Sequence, residues 1–531
     1  MTTLTSTLEI GSAEAGAARE AMLASLADIA TETARAVAGG GEKAVARHHG
    51  RGKLTARERI ELLLDADAPF LELATLAGYG SDFAVGGSVV AGIGQVSGVD
   101  CLLVANDPTV KGGASNPWSL RKTLRMHDIA RQNRLPVISL VESGGADLPT
   151  QKDVFIPGGA TFRNLTQLSR EGIPTIALVF GNSTAGGAYL PGMSDHVVMI
   201  EQRSKVFLGG PPLVKAATGE ESDDESLGGA EMHAKVSGLA DHYALDEQDA
   251  IRIGRRIVAR LAWRRGGRDP GPVLPPRLPA EELLSIVPPD LKTPFDPREV
   301  IARVVDDSDL DEMKPLYGSS LVTGWARLHG YPVGILANAR GVLFSEEAQK
   351  ATQFIELANR SETPLIFLHN TTGYMVGAEY EQGGIIKHGS MMINAVSNST
   401  VPHLSVLLGN SYGAGHYGMC GRAFDPRFVF AWPSARSSVM GAQQLAEVTY
   451  SVSKASALAQ GKAFDDEGAR MIRDAVEQQI SLEAMPMVLS GMVYDDGIID
   501  PRDTRDVLGL ALSAIHSAPV EGTSSFGVFR M

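Results

Sequence analysis

Gly181–Tyr189 reads GNSTAGGAY, and Gly409–Tyr417 reads GNSYGAGHY. The strings lie 228 positions apart (409 − 181 = 228) and agree at five of nine positions. A second pair, Gly145 and Gly373, has the same offset (373 − 145 = 228). Two motifs at one spacing mark an internal duplication, and a duplication fixes the architecture before any single element is assigned.

Working outward, each half carries the same order of segments. VVAGIG (Val89–Gly94) and LVTGWA (Leu321–Ala326) each lead through a short turn into a second strand, CLLVAN (Cys101–Asn106) or VGILAN (Val333–Asn338). Helices are expected over Pro117–Gln132, with Asn116 as N-cap and Pro117 at the first position, and over Glu346–Asn359. Buried-type strands follow Pro136 and Pro364. The alternation of strand and helix predicts an α/β fold in each half. Arg264–Pro279 (RRGGRDPGPVLPPRLP) reads as an extended, exposed linker. The expected division is an N-terminal arm over 1–19, a first domain over 20–270 and a second over 280–531.

Bulk composition agrees with a globular chain. Its 531 residues exceed one ordinary core, and 44% are apolar and 21% charged. A net charge of −14 argues against nucleic acid as main partner. Two cysteines, Cys101 and Cys420, give no disulfide framework and no zinc site. There is no long apolar run for a membrane span. The first 40 residues carry Glu9, Glu14, Glu20, Asp28 and Glu32, so they read as a helical arm rather than a targeting signal. A cytoplasmic location is expected.

The duplicated glycine turns carry the chemistry. Small residues at the end of an apolar strand let backbone N–H groups face a ligand with no side chain between them. Two such donors aimed at one oxygen make an oxyanion hole. Gly186 and Gly187 are the candidates in the first half, and the repeat maps them onto Ala414 and Gly415. Rival readings are weaker. GAGHYG (Gly413–Gly418) matches a dinucleotide fingerprint, but GNSY intervenes after the strand and RFVFAWPSAR supplies no acid. Ser183 resembles a nucleophile elbow that lacks its second glycine. Arg51–Arg59 (RGKLTARER) is basic, and reads either as a solvated helix face or as a phosphate-facing patch.

Several strings together resemble acyl-CoA carboxylase β subunits. They are GKLTARERIELLLD (Gly52–Asp65), SGGA (Ser143–Ala146), TAGGAYLPGMSD (Thr184–Asp195), GPPLVKAATGE (Gly210–Glu220), LGGAEMH (Leu227–His233), SGLADHYA (Ser237–Ala244) and DDGIIDPRDTR (Asp495–Arg505), with GNSYGAGHYGMCGRAFDPRF and WPSARSSVMG in the second half. GPPLVKAATGE and GIIKHG look most like the 3-methylcrotonyl-CoA and geranyl-CoA carboxylase branch. The stretch after Gln151 is shorter than that branch shows and lacks its aromatic-Asn-Gln-Ala run, and Glu447–Ala463 is unusual.

The resemblance implies two tandem crotonase-like (ClpP/crotonase) ββα-superhelix domains. It implies carboxyl transfer from carboxybiotin to an acyl-CoA through enolates held in two oxyanion holes. Gly186 and Gly187 would serve the acyl-CoA enolate, and Ala414 and Gly415 the biotin oxygen. Ser143, Gly144, Gly145 and Ala146 would lie along the pantetheine, and Tyr417 matches a position that tunes acyl choice. No metal is implied. Ala484–Met487 (AMPM) lacks the lysine of a biotinylation motif. The biotin carboxylase and biotin carrier functions therefore fall to a partner α subunit, with the β chains in a homo-hexamer. A branched enoyl-CoA such as 3-methylcrotonyl-CoA is the expected substrate. Saturated acyl-CoAs (propionyl, acetyl or long-chain) stay open. So do a biotin-independent crotonase-type isomerase, hydratase or thioester hydrolase, and a non-catalytic scaffold.

Overall fold

The computed structural model describes residues 2–461 and 465–531. In chain order its strands are β1 (Thr2–Thr3), β2 (Phe70–Glu72), β3 (Val89–Val96), β4 (Val99–Asn106), β5 (Val137–Ser143), β6 (Thr175–Thr184), β7 (His196–Ile200), β8 (Lys205–Phe207) and β9 (His242–Ala244). The second half adds β10 (Asp309–Glu312), β11 (Leu321–Leu328), β12 (Tyr331–Asn338), β13 (Gly341–Leu343), β14 (Leu365–Tyr374), β15 (His403–Tyr412), β16 (Phe428–Ala431), β17 (Arg436–Ser438) and β18 (Gly497–Ile498). One sheet runs β2-β3-β4-β5-β6-β7-β9 with β8 against β6. The other runs β10-β11-β12-β14-β15-β16-β18 with β17 against β15 and β13 against β14, and β1 is added at its edge.

The two sheets share one plan. In each, an antiparallel start turns parallel at the fourth strand of the path. The register slips between Val141 and Ser143 in one sheet and between His369 and Thr371 in the other, again 228 positions apart (369 − 141 = 228). Central strands such as β5 and β14 are buried runs of Val, Ile, Leu and Phe, as strands covered on both faces must be.

Polar fixtures repeat as well. Lys122, on the helix Pro117–Asn133, donates to the Val89 carbonyl at 2.8 Å. Lys350, on Ser345–Arg360, donates to the Leu321 carbonyl at 2.7 Å. Both ammoniums are buried. Burial lowers both pKa values, that of Lys122 to about 8. The β3–β4 and β11–β12 hairpins turn at Ser97-Gly98 and His329-Gly330, all four at positive φ, as a type I′ turn requires. Asp65 accepts from the Ser97 and Gly98 amides and is held by Arg255. Asp306 accepts from the His329 and Gly330 amides and is held by Arg505.

The halves meet through a common apolar core. Leu73, Leu102, Met126 and Ile129 of the first pack in one cluster with Val322, Phe430, Trp432 and Leu512 of the second. At its margin Arg125 makes a two-pronged ion pair with Asp496, at 2.7 and 2.8 Å, and donates to the Arg427 carbonyl. Asp496 also takes the Val429 amide and lies against Arg422. Arg125 and Arg422 hold the Asp496 carboxyl down at about 2 despite its burial. Next to it, burial first and the Asp496 charge second push Asp495 up to about 7.

Two expectations are refined. Of the first 40 residues, read as a helical arm, the helix takes Ala13–Val37. Thr2–Thr3 instead pair with Asp309–Leu310, and Ser6 and Thr7 bind Glu299, so the first residues cap the edge of the second sheet. This edge would otherwise present unpaired backbone groups. The linker 264–279 is extended and largely exposed, yet it is pinned. Gly266 and Gly267 donate to the carbonyls of Ser517 and His516. Of the unusual segment Glu447–Ala463, most lies in the helix Ala442–Ala459, and Lys462 and Ala463 lie outside the described residues.

Asp495 makes the junction pH-sensitive. Its unfolded pKa is about 3.9. Between about pH 4 and 7 the folded chain keeps a proton that the unfolded chain has lost, so this group's contribution to stability falls as pH rises and its cost is complete above about pH 7. Asp495→Asn is expected to raise the denaturation midpoint at pH 8 and to leave it nearly unchanged at pH 4.5. A midpoint lowered equally at both pH values would show that burial does not govern this carboxyl.

Candidate functional site

In the first half β6 ends at Thr184, and the chain turns at once into Ala185–Ala188 and the short helix Tyr189–Gly192. Ala185 takes positive φ (54°) to make the corner. The first N–H groups of such a turn have no acceptor within it. Gly186 stands exposed there, with Gly187 half-buried beside it. Ser183 Oγ, beneath the corner, donates to the Gly187 carbonyl at 2.8 Å and fixes the turn to its strand.

The Ser143–Ala146 loop is brought against this turn. Ser143 pairs with Ser183. Ser143 Oγ accepts from the Gly145 amide at 3.2 Å, and the Gly145 carbonyl accepts from the Ser115 amide at 2.8 Å. Gly145 has φ 95°, and a Cβ there would lie 3.3 Å from the Thr184 carbonyl. Glycine is needed at that position for both reasons. Phe162 reaches the same corner: a Cβ on Gly186 would sit 3.5 Å from its ring, which also lies 5.8 Å from the ring of Tyr189. The first turn therefore has an exposed and a half-buried glycine, with a glycine loop on one side and an aromatic wall on the other.

The second half repeats the corner with tighter packing. β15 ends at Tyr412 and Gly413–Gly418 forms a short helix. GNSY is thus inside the strand, and GAGHYG follows it directly, unlike the sequence reading. The dinucleotide reading still fails, because the helix is only six residues long and β16 carries only Phe428-Val429-Phe430-Ala431. Ala414 is exposed and Gly415 buried. A Cβ on Gly415 would lie 2.8 Å from Gly373 Cα and 3.0 Å from Thr371 Oγ1. Gly373 repeats Gly145, with its amide bound to Thr371 Oγ1 at 3.2 Å. Tyr417 is 45% exposed at the rim, with its ring 5.7 Å from Phe424.

Beneath this second turn lies a polar cluster that sequence reasoning missed. Ser411 Oγ lies 2.9 Å from His369 Nδ1 and 2.8 Å from His416 Nδ1. Burial lowers both histidine pKa values, that of His416 to about 4. The signal was present in the repeat: His369 and His416 stand where the first half has Val141 and Ala188.

Other candidates are accounted for by packing. Ser183 is fully buried with its hydroxyl on a carbonyl, so it is no exposed nucleophile. Three cations of the basic segment are engaged by carboxylates of the chain itself. Lys53 and Arg59 pair with Glu142, Arg59 also binds Glu247 at 2.9 and 3.0 Å, and Arg57 binds Glu72. Glu142, the carboxylate that precedes the Ser143 loop, is thereby engaged by two cations. Cys420 lies 3.2 Å from His403 Nδ1, but burial drives the thiol pKa up and the imidazole down to about 3, so the pair stays neutral. Among the described residues no group of three or more His, Cys, Asp or Glu is arranged to hold a metal, and no helix is long and apolar enough to cross a membrane.

Residues 47–529 match the family model described as the carboxyl transferase domain. The chain is 71% identical over 528 residues to a probable biotin-dependent acyl-coenzyme A carboxylase beta2 subunit of Mycobacterium tuberculosis, covering 99% of this chain and all of the relative. It is 48% identical to the biotin-dependent 3-methylcrotonyl-coenzyme A carboxylase beta1 subunit of the same organism, over 95% of this chain and 96% of that one. Among solved structures it resembles the beta subunit of the geranyl-CoA carboxylase of P. aeruginosa, with TM-score 0.91, 42% identity and 99% of each chain covered.

The two corners differ in the room they leave. Gly186→Ala is expected to fold with an unchanged thermal midpoint, its Cβ in ordinary contact with Phe162. Gly415→Ala is expected to cost ~1–3 kcal/mol by overpacking. Equal midpoints for the two variants would contradict this difference.

Proposed function

The chain belongs to the carboxyl transferase family, and from that premise we propose that its two turns divide one reaction between them. It is the carboxyltransferase (β) subunit of a biotin-dependent acyl-CoA carboxylase. The acyl-CoA thioester oxygen is held by the amides of Gly186 and Gly187 as negative charge develops on it, and the biotin ureido oxygen by those of Ala414 and Gly415. Carboxybiotin, brought by a partner α subunit, supplies the carboxyl group and the proton acceptor. The chain's part is to bind, orient and stabilise charge with fixed backbone dipoles, which need no reorganisation during the reaction.

The observation that carries this reading is the pair of small-residue corners at equivalent repeat positions, each with its first residue, Gly186 or Ala414, exposed. Near the first corner Glu142 is bound to Lys53 and Arg59, so it is not free to act as the acid or base of a biotin-independent crotonase-type enzyme. Ser143–Ala146 lie where the pantetheine arm would pass the first corner. The favoured acyl group is a short branched enoyl chain such as 3-methylcrotonyl. Relatives at 47–48% identity carry that activity in their names, and the Phe162–Tyr189 pair forms an aromatic wall beside Gly186. Tyr417 lies at the rim of the second corner, where it would face an acyl chain from a neighbouring subunit. With this reading go a first unit over 20–270, a second over 280–531, a β hexamer that joins the first corner of one chain to the second corner of another, and a cytoplasmic location.

The test is a pull-down of the tagged chain from its native cells, probed with streptavidin, then assayed for ATP-dependent bicarbonate fixation on 3-methylcrotonyl-, geranyl-, propionyl- and acetyl-CoA. A biotinylated partner and activity on 3-methylcrotonyl-CoA are expected. Preference for another acyl-CoA would overturn the acyl assignment alone. Gly186→Val, whose branched side chain would displace the thioester oxygen from the amides, should lower kcat by ~10²-fold. A normal rate in that variant would refute the role of the first corner.

A further inference from the structure

The second corner is braced differently from the first. In the first half Ser183 Oγ reaches the turn directly through the Gly187 carbonyl. Ser411 occupies the same repeat position (411 − 183 = 228) but bonds to two imidazoles. One of them, His416, belongs to the turn itself and follows Gly415. The other, His369, belongs to the neighbouring strand β14 and is fully buried.

A hydroxyl has one proton, so at most one of the two Nδ1 atoms in contact with it accepts, and at least one imidazole donates Nδ1–H to Ser411 Oγ. The backbone makes room for this arrangement: a Cβ on Gly421 would fall 1.9 Å from His416 Nε2, although Gly421 has an ordinary negative φ. The glycine therefore serves to seat the imidazole. The Gly421 amide also donates to the His416 carbonyl at 2.8 Å.

We propose that His416, bound through Ser411 to His369, is a positioning residue for the biotin-side corner, setting the direction of the Ala414 and Gly415 amides. The inference rests on the assignment of that corner to biotin. A brace of this kind has a large effect because a donor misplaced by about 1 Å can cost ~10²-fold in rate. The first corner needs no such relay, since a single direct bond holds its carbonyl. The two corners therefore respond to separate substitutions.

The test uses the full-length chain, carboxylated acyl-CoA and free biotin as acceptor. The carboxyl group moves from the acyl carbon to the biotin nitrogen, and the proton of that nitrogen ends on the acyl carbon. His416→Ala and Ser411→Ala are each expected to lower kcat by ~10²-fold with the KM for the acyl-CoA within about twofold of wild type. His416→Asn, whose amide nitrogen takes the place of Nδ1, is expected to recover most of the loss. Hydrogen–deuterium exchange supplies a readout that needs no turnover: both alanine variants should speed exchange over 413–418 and leave 185–189 unchanged, and Ser183→Ala should do the reverse. Wild-type kcat and exchange in His416→Ala would overturn the proposal, as would a loss carried by the acyl-CoA KM or no recovery in His416→Asn. If His416→Ala does not fold, Ser411→Ala, which removes one oxygen, decides alone. A wild-type chain that carboxylates no biotin would refute the function itself, and the exchange pattern would still decide whether the relay braces the corner.

Discussion

The ion pair of Arg125 with Asp496 is the contact on which the relation of the two halves depends. Its partners lie 371 positions apart, one on the helix Pro117–Asn133 and one just before β18. Both side chains are buried, and the carboxylate is further bonded to the Val429 amide and faced by Arg422. A buried ion pair adds little over well-packed apolar groups, but removal of one partner costs ~3–5 kcal/mol because the other charge is left uncompensated. The pair thus works more as a register pin than as glue. The apolar core that both sheets share supplies the attraction, and the pin allows it only one relative placement of the sheets.

The sequence discloses the duplication with unusual clarity, because turn glycines and buried lysines are fixed by geometry rather than by surface chemistry. Gly145 and Gly373 must take positive φ, and Lys122 and Lys350 must reach the first carbonyl of a neighbouring strand, so both pairs keep the offset of 228. Less legible were features that depend on contacts between distant segments. Nothing near Gly415 in sequence announces that Thr371 and Gly373 crowd it. The basic run Arg51–Arg59 looked like surface because its acidic partners Glu72, Glu142 and Glu247 are far along the chain. Several family-like strings carry scaffold residues: GKLTARERIELLLD ends at Asp65 and DDGIIDPRDTR at Arg505, and both residues belong to the hairpin clamps.

The repeat also shows where one plan was put to two uses. Strand order, register slip, hairpin clamp and buried lysine are held in common, and they place a peptide corner at the same end of each sheet. The differences gather immediately around the corners. One has an aromatic wall and open space above its glycine. The other has a serine between two imidazoles and a glycine enclosed by backbone. Function in such a chain is therefore read best from the positions at which its two copies disagree.

That contrast bears on how a family built on this chain can diversify. Beside Gly186 the neighbour is the tip of Phe162, on the helix Gln151–Arg170, which can be exchanged without moving a strand. Around Gly415 the neighbours are main-chain atoms and a buried threonine, which cannot change unless the sheet does. The surroundings of the first corner can thus change by single substitutions, while the second corner is held fixed by the fold. The older symmetry of the duplicated gene has become a division between a part open to selection and a part closed to it.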